Sequence, residues 1–170
     1  VILETAYKIK KNKDIRFTLI KTGNITLKPN TVPDFIKIVT SPNELEKYKM
    51  LYEADLVITK IGTSSFECAM LGTPFIPVYR AGIVNYLIAK RLITLKSTAM
   101  INILAGKMIV KEFIQSDFTS ENLYKESMKL LNDINYRENI LNEIEEVLKV
   151  FSEYKISKSA EDIIFECLNF

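Results

Sequence analysis

The stretch Lys60-Ile61-Gly62-Thr63-Ser64-Ser65, with Glu67 close behind, joins a strand-like run (LVIT) to a helical pattern. Glycine permits close backbone approach and unusual φ/ψ. The first amides of a helix have no intrahelical acceptor and lie at its positive end, so a Gly-Thr-Ser-Ser start is a ready anion site. A carboxylate at Glu67 would repel a phosphate placed beside it, but could accept hydrogen bonds from a ribose diol one step further out. The same residues also match a capping box, Ser64-x-x-Glu67, which stabilises a helix start without any ligand. Spacing alone leaves both readings open. Two further residues stand out. Arg80 ends the run FIPVYR, where a guanidinium could offset phosphate charge. Asn102 is flanked by Ile101 and Ile103 and followed by Leu-Ala-Gly. It is either a turn former or an amide that reads a base or a phosphate, and if buried it must find partners. The chain has no histidine, which excludes His-based acid–base chemistry and His metal ligation in this segment.

Positioning these residues requires alternating elements. Strands are expected at Ile15–Ile20, Phe35–Val39, Leu56–Thr59 and Phe75–Tyr79, from their β-branched and aromatic content. Helices are expected at Val1–Lys10, from Ser41 to about Glu53, and at Ser64–Leu71, Ile83–Ile93, Thr119–Asp133, Tyr136–Tyr154 and Ala160–Leu168. In the second of these, Ser41 reads as N-cap, Pro42 as first turn and Glu44 as capping-box partner. Thr22–Pro33 reads as a loop and Leu95–Leu104 as extended or irregular. Gly72-Thr73-Pro74 reads as a structural break, with Gly72 ending a helix in the left-handed region and Pro74 preventing its continuation. Strands alternating with helices predict an α/β fold with a parallel sheet. The nearly all-apolar strands fit a sheet covered on both faces. Ligands of such sheets bind beyond the carboxyl ends of the strands, where the turn after Thr59 and the loop after Tyr79 fall.

Bulk properties set limits. The 170 residues fit one domain, and 48% apolar with 26% charged residues is ordinary for a globular protein. A net charge of +2 gives no argument for nucleic acid. Cys68 and Cys167 fit neither a metal motif nor a disulfide framework, which favours a reducing, cytoplasmic home. No apolar run approaches the roughly 20 residues of a membrane span. Lys90 and Arg91 on an apolar helical stretch permit surface contact with a membrane, although packing on the sheet is the default.

In order, the series GTSSFE, GTP, VYR, AKRL, NILAG and EFIQ resembles the C-terminal half of the lipid-A-disaccharide synthase family. The match rests on Gly62-Thr63 with Glu67, Pro74 to Arg80, Ala89 to Leu92, Asn102 to Gly106, and Glu112 to Gln115. It is densest over roughly residues 50 to 125. Ile61 stands where the family tends to have Ser, and Ile101 where it has Pro.

The resemblance implies a Rossmann-like parallel sheet flanked by helices, the C-terminal half of a GT-B glycosyltransferase, followed by C-terminal helices. It implies transfer of 2,3-diacylglucosamine from UDP to 2,3-diacylglucosamine 1-phosphate. The implied partners are UDP-2,3-diacylglucosamine and the acylated acceptor, with no nucleic acid and no cofactor beyond the UDP-sugar substrate; the sequence carries no Asp-rich metal motif, so a metal-free donor site is expected. A homodimer and peripheral contact with the inner membrane are further expectations for the parent. By carry-over, Gly62, Thr63 and Ser64 would hold the diphosphate, Glu67 the ribose, and Asn102 the nucleotide or sugar-phosphate side, with Arg80 nearby. Val1 to Ala6 looks like the helix after the family's first strand and Gly-Ser-Arg loop. The segment 1–170 is therefore expected to be one nucleotide-sugar-binding domain without its first strand or the N-terminal acceptor domain, where the general base would lie. A related transferase with another acceptor, such as a peptidoglycan precursor, and a non-catalytic nucleotide-sugar-binding module are the alternatives.

Overall fold

The computed structural model describes residues 1–21, 23–28, 31–82 and 97–153. The expected helices at 83–93 and 160–168, the AKRL motif and Cys167 lie outside these residues. Helix α1 (Ile2–Asn12) starts without a side-chain cap. Strands β1 (Phe17–Lys21) and β2 (Ile36–Thr40) pair in parallel, Phe17 opposite Ile36. Helix α2 (Glu44–Tyr52) follows, then β3 (Val57–Lys60), α3 (Thr63–Met70) and β4 (Phe75–Tyr79). The chain continues through α4 (Met100–Ala105), β5 (Phe113–Ile114), α5 (Ser120–Asn132) and α6 (Ile134–Glu153).

The α/β class holds, but the strands form two parallel sheets among the described residues, β1-β2 and β3-β4-β5, rather than one. β1, β2, β3 and β5 each keep one edge without a described strand partner. Three local expectations are corrected. The cap of α2 is Asn43, whose side chain accepts from the Glu46 amide at 2.9 Å while Glu46 accepts from the Asn43 amide at 3.1 Å. Ser41 instead continues the sheet, its amide donating to the Lys21 carbonyl at 2.8 Å. Residues 100–105 form a helix where extended chain was expected. Helix α3 closes with Ser65, not through a Ser64–Glu67 box.

The core sits around β4, whose Phe75, Ile76 and Val78 are buried with Cys68, Ile101, Val110, Phe113, Leu123 and Ile144. Burial of such side chains contributes roughly 1.5–3 kcal/mol each. A proline inside this central strand would normally break the ladder. Val57 donates to the Pro74 carbonyl and Ile61 to the Val78 carbonyl, so even-numbered residues of β4 bond to β3. Pro77 faces the other side, where β5 starts pairing only at Val78, so its missing N–H leaves no gap. Gly72 ends the turn after α3 with φ 67°, and Thr73 donates its hydroxyl to the Leu51 carbonyl at 3.0 Å. The Gly-Thr-Pro break is structural, as read.

Candidate nucleotide-sugar site

Strand β3 delivers the chain to the carboxyl edge of its sheet at Lys60, and α3 begins three residues later. Gly62 joins them with φ 149° and ψ −154°, a region open essentially to glycine alone. A side chain there would meet no atom within 4 Å, so the backbone angle, not space, demands glycine. The Ser65 hydroxyl accepts from the Gly62 amide at 3.2 Å and donates to the Gly62 carbonyl at 2.7 Å. That closure buries Ser65 and leaves Gly62, Thr63 and Ser64 exposed. The first-turn amides of α3 have no intrahelical carbonyl within reach and stand at the positive end of the helix dipole.

Glu67 lies one turn along α3, half-buried. Lys47 of α2 donates to its Oε1 at 3.0 Å and lies 3.0 Å from Oε2. The hydrogen bond to Glu67 is the chief cause that raises the Lys47 pKa. The neighbouring Cys68 is fully buried, and desolvation pushes its thiol up to about 12, which makes it a packing residue rather than a nucleophile.

Arg80 follows β4 directly, on the same sheet edge. Its Nη2 donates to the Phe118 carbonyl at 2.8 Å and reaches the Gln115 carbonyl at 3.4 Å, with the guanidinium 5.0 Å above the Phe118 ring. Gln115 completes this clamp: its side-chain amide accepts from the Ala81 N–H at 3.2 Å and donates to the Ala81 carbonyl at 3.1 Å. The loop leaving β4 is thus pinned to the loop leaving β5.

Asn102 is 1% exposed and fully bonded within the chain. Its Nδ2 donates to the Val110 carbonyl and to Glu112 Oε1, each at 2.8 Å. Its Oδ1 accepts from Ile109 at 2.8 Å and Val110 at 2.9 Å. Glu112 in turn accepts from the amides of Thr98 and Ala99 and from the Thr98 hydroxyl, holding the two residues that lead into α4. Neither the turn-forming reading nor an open ligand-reading amide describes this residue: it sits inside a helix, and all its hydrogen-bonding capacity goes to the 109–112 loop. A contact with a nucleotide would require it to release one of these bonds.

The structure therefore brings Gly62, Thr63, Ser64 and Glu67 together at one helix start, sets Arg80 at the neighbouring strand end, and encloses Asn102 in its own loop. Lys47 escaped the sequence reading because only tertiary packing places it beside Glu67. Glu112 and Gln115 were visible as a motif without a role. Two cavities, of about 540 and 400 Å³, lie elsewhere, beside Tyr7 and Ile38 and beside Met108 and Tyr136. Among the described residues no His/Cys/Asp/Glu cluster could hold a metal ion, and no helix is long and apolar enough to cross a membrane.

Parallel strands flanked by helices, with an open Gly-Thr-Ser helix start at the strand ends, define a Rossmann-like half of the GT-B type. Sequence comparison agrees. A family model described as lipid-A-disaccharide synthetase matches residues 3–164. The lipid-A-disaccharide synthase of Rickettsia canadensis is 32% identical over 157 residues, 82% of this chain and 40% of that protein. The synthase of Persephonella marina is 27% identical over 162 residues, 92% of this chain and 43% of that protein. The chain belongs to the lipid-A-disaccharide synthase family, and it spans about 40% of the length of these relatives.

Proposed function

We propose that this chain forms the donor-binding part of a glycosyltransferase of lipid A biosynthesis, one that moves 2,3-diacylglucosamine from UDP to 2,3-diacylglucosamine 1-phosphate. Family membership supports the transferase class. The observation that carries the donor role is the exposed helix start at Gly62–Ser64, held open by a glycine-only conformation at the carboxyl end of β3. In such a transfer the leaving group is a nucleoside diphosphate, and negative charge grows on its oxygens as the glycosidic bond breaks. Helix amides fixed in advance stabilise that charge without reorganising during the reaction. Thr63 and Ser64 add exposed hydroxyls, and the Arg80 guanidinium lies at the adjacent strand end. Glu67 Oε2 is buried, but Oε1 keeps a lone pair beyond the one engaged by Lys47 and can accept from a ribose diol. Asn102 and Glu112 serve this site indirectly, by fixing the loop between α4 and β5. A general base is proposed to come from outside these residues.

Calorimetric titration of the intact protein with UDP tests the reading. Wild-type protein is expected to bind, and Glu67→Ala to weaken binding by about tenfold or more, equivalent to about 1.4 kcal/mol. Equal affinity in both proteins removes Glu67 from the site.

A further inference from the structure

The Glu67–Lys47 pair links two elements that have no need of each other for helix formation. Glu67 is in the middle of α3, past its first turn, and Lys47 is in the first half of α2, twenty residues earlier in the chain. Lys47 straddles the carboxylate, 3.0 Å from either oxygen. Both side chains are more than two-thirds covered, with 28% and 21% exposure, so solvent screens the pair less than an ordinary surface bridge. Glu67 Oε2 is buried and has no hydrogen-bond donor, so the ammonium charge is what it faces. On its other side the Lys47 ammonium lies 4.6 Å from the Tyr48 ring centre, which restricts the lysine in turn. A carboxylate held in this way has a fixed plane and a fixed set of remaining lone pairs. A free glutamate at the same position would sample several staggered rotamers.

We propose that Lys47 is a positioning residue: it holds the Glu67 carboxylate with Oε2 turned inward and leaves Oε1 as the oxygen that accepts from the donor ribose diol. This rests on the donor-site reading above and adds the residue that would make the site selective for a ribonucleotide. Selectivity follows because a polar group held in place to accept a hydroxyl discriminates strongly against an analogue that lacks it. Lys47 need not touch the ligand. A purely structural Lys47–Glu67 bridge would tie α2 to α3 and affect all uridine nucleotides alike.

The test compares the affinities of UDP and 2′,3′-dideoxyuridine diphosphate by calorimetry in the intact protein. Wild type is expected to prefer UDP by about tenfold or more. Lys47→Met is expected to lose most of that preference by weakening UDP, while dideoxy-UDP binding stays within about twofold. Lys47→Arg, which keeps charge and donors, is expected to retain a clear preference. Lys47→Gln carries the same readout if methionine compromises folding. Equal weakening of both ligands, or no change in either, overturns the positioning role while leaving the donor site intact. A wild type that binds both nucleotides equally well removes the diol contact itself. A wild type that binds neither removes the donor-site reading on which the proposal rests.

Discussion

Replacing Asn102 by alanine would test whether the NILAG and EFIQ segments form one locked unit. The substitution removes four hydrogen bonds at a site that is 1% exposed. Glu112 loses least, because it keeps the Thr98 and Ala99 donors. The Ile109 and Val110 amides and the Val110 carbonyl lose their partner outright. Each orphaned buried group costs about 1–3 kcal/mol. The space vacated by the side chain can admit a water that serves some of them. The expected net loss is therefore about 2–4 kcal/mol, concentrated in the loop rather than spread through the domain. Native-state hydrogen exchange reads it locally. At 1.4 kcal/mol per tenfold, the Ile109 and Val110 amides should exchange roughly 30- to 700-fold faster than in wild type. An acceleration below about threefold at both amides would refute the account of Asn102 as the lock of this loop.

Asn102→Asp separates shape from charge. It retains both acceptors for Ile109 and Val110 but sets a carboxylate oxygen where Nδ2 now lies, 2.8 Å from Glu112. Two carboxylates that close cannot both ionise freely, so a folded-state pKa in the pair rises above its unfolded value. Stability that depends on the shared proton is present at acid pH and is lost as pH rises through the raised pKa. The aspartate variant should therefore be nearer to wild type at pH 5 than at pH 8 in a denaturant midpoint measurement. An equal penalty at both pH values would exclude a charge clash.

Two shorter predictions follow. Gly62→Ala should cost about 1–3 kcal/mol in thermal or denaturant unfolding, from backbone strain alone, because the added methyl meets nothing; an unchanged midpoint would mean that the turn relaxes. Cys68, with its thiol pushed up to about 12 by burial, should resist iodoacetamide at pH 8 in the native protein and react after unfolding; rapid native-state labelling, read by peptide mass, would contradict its burial.

Much of the architecture was readable locally. β4 lies where its run FIPVY predicts, and Thr119 caps α5 at the expected boundary. What escaped depends on distant partners. Helix α4 has six residues, an Ile-Asn-Ile centre of poor helix propensity and no side-chain cap of its own. Glu112, more than ten residues downstream, accepts from the amides of Thr98 and Ala99, the two residues that lead into it, and so fixes its approach. β5 has two residues and owes its strand character to backbone pairing with Val78 and Tyr79. The capping box predicted for α3 failed because Ser65, not Ser64, turns back on Gly62, which frees Glu67 for Lys47. The division into two sheets could not be read at all, since apolar strands carry no mark of which neighbour they pair with.

The distribution of side-chain commitments bears on how the proposed site would work. Arg80 Nη2, Gln115, Asn102 and Glu112 are engaged with the chain's own backbone, fixing the loops that leave β4 and lead into β5. The groups left to face a ligand at the β3 edge are the backbone amides of α3's first turn, two small hydroxyls and the exposed Lys60. A diphosphate held there meets oriented dipoles as well as cations. Dipoles fixed by a folded helix do not rearrange as charge develops, whereas flexible lysines would have to be ordered anew in each transfer. Their interaction with an anion also decays within about one helical turn. The ligand's charged groups must then lie close against Thr63 and Ser64, and the ribose a step further along, within reach of a carboxylate on the next turn. Glu67 is on that turn, and its orientation is the one part of the arrangement that depends on a long, flexible side chain. Lys47 is consequently where a small change in sequence would loosen nucleotide selectivity without disturbing the helix start.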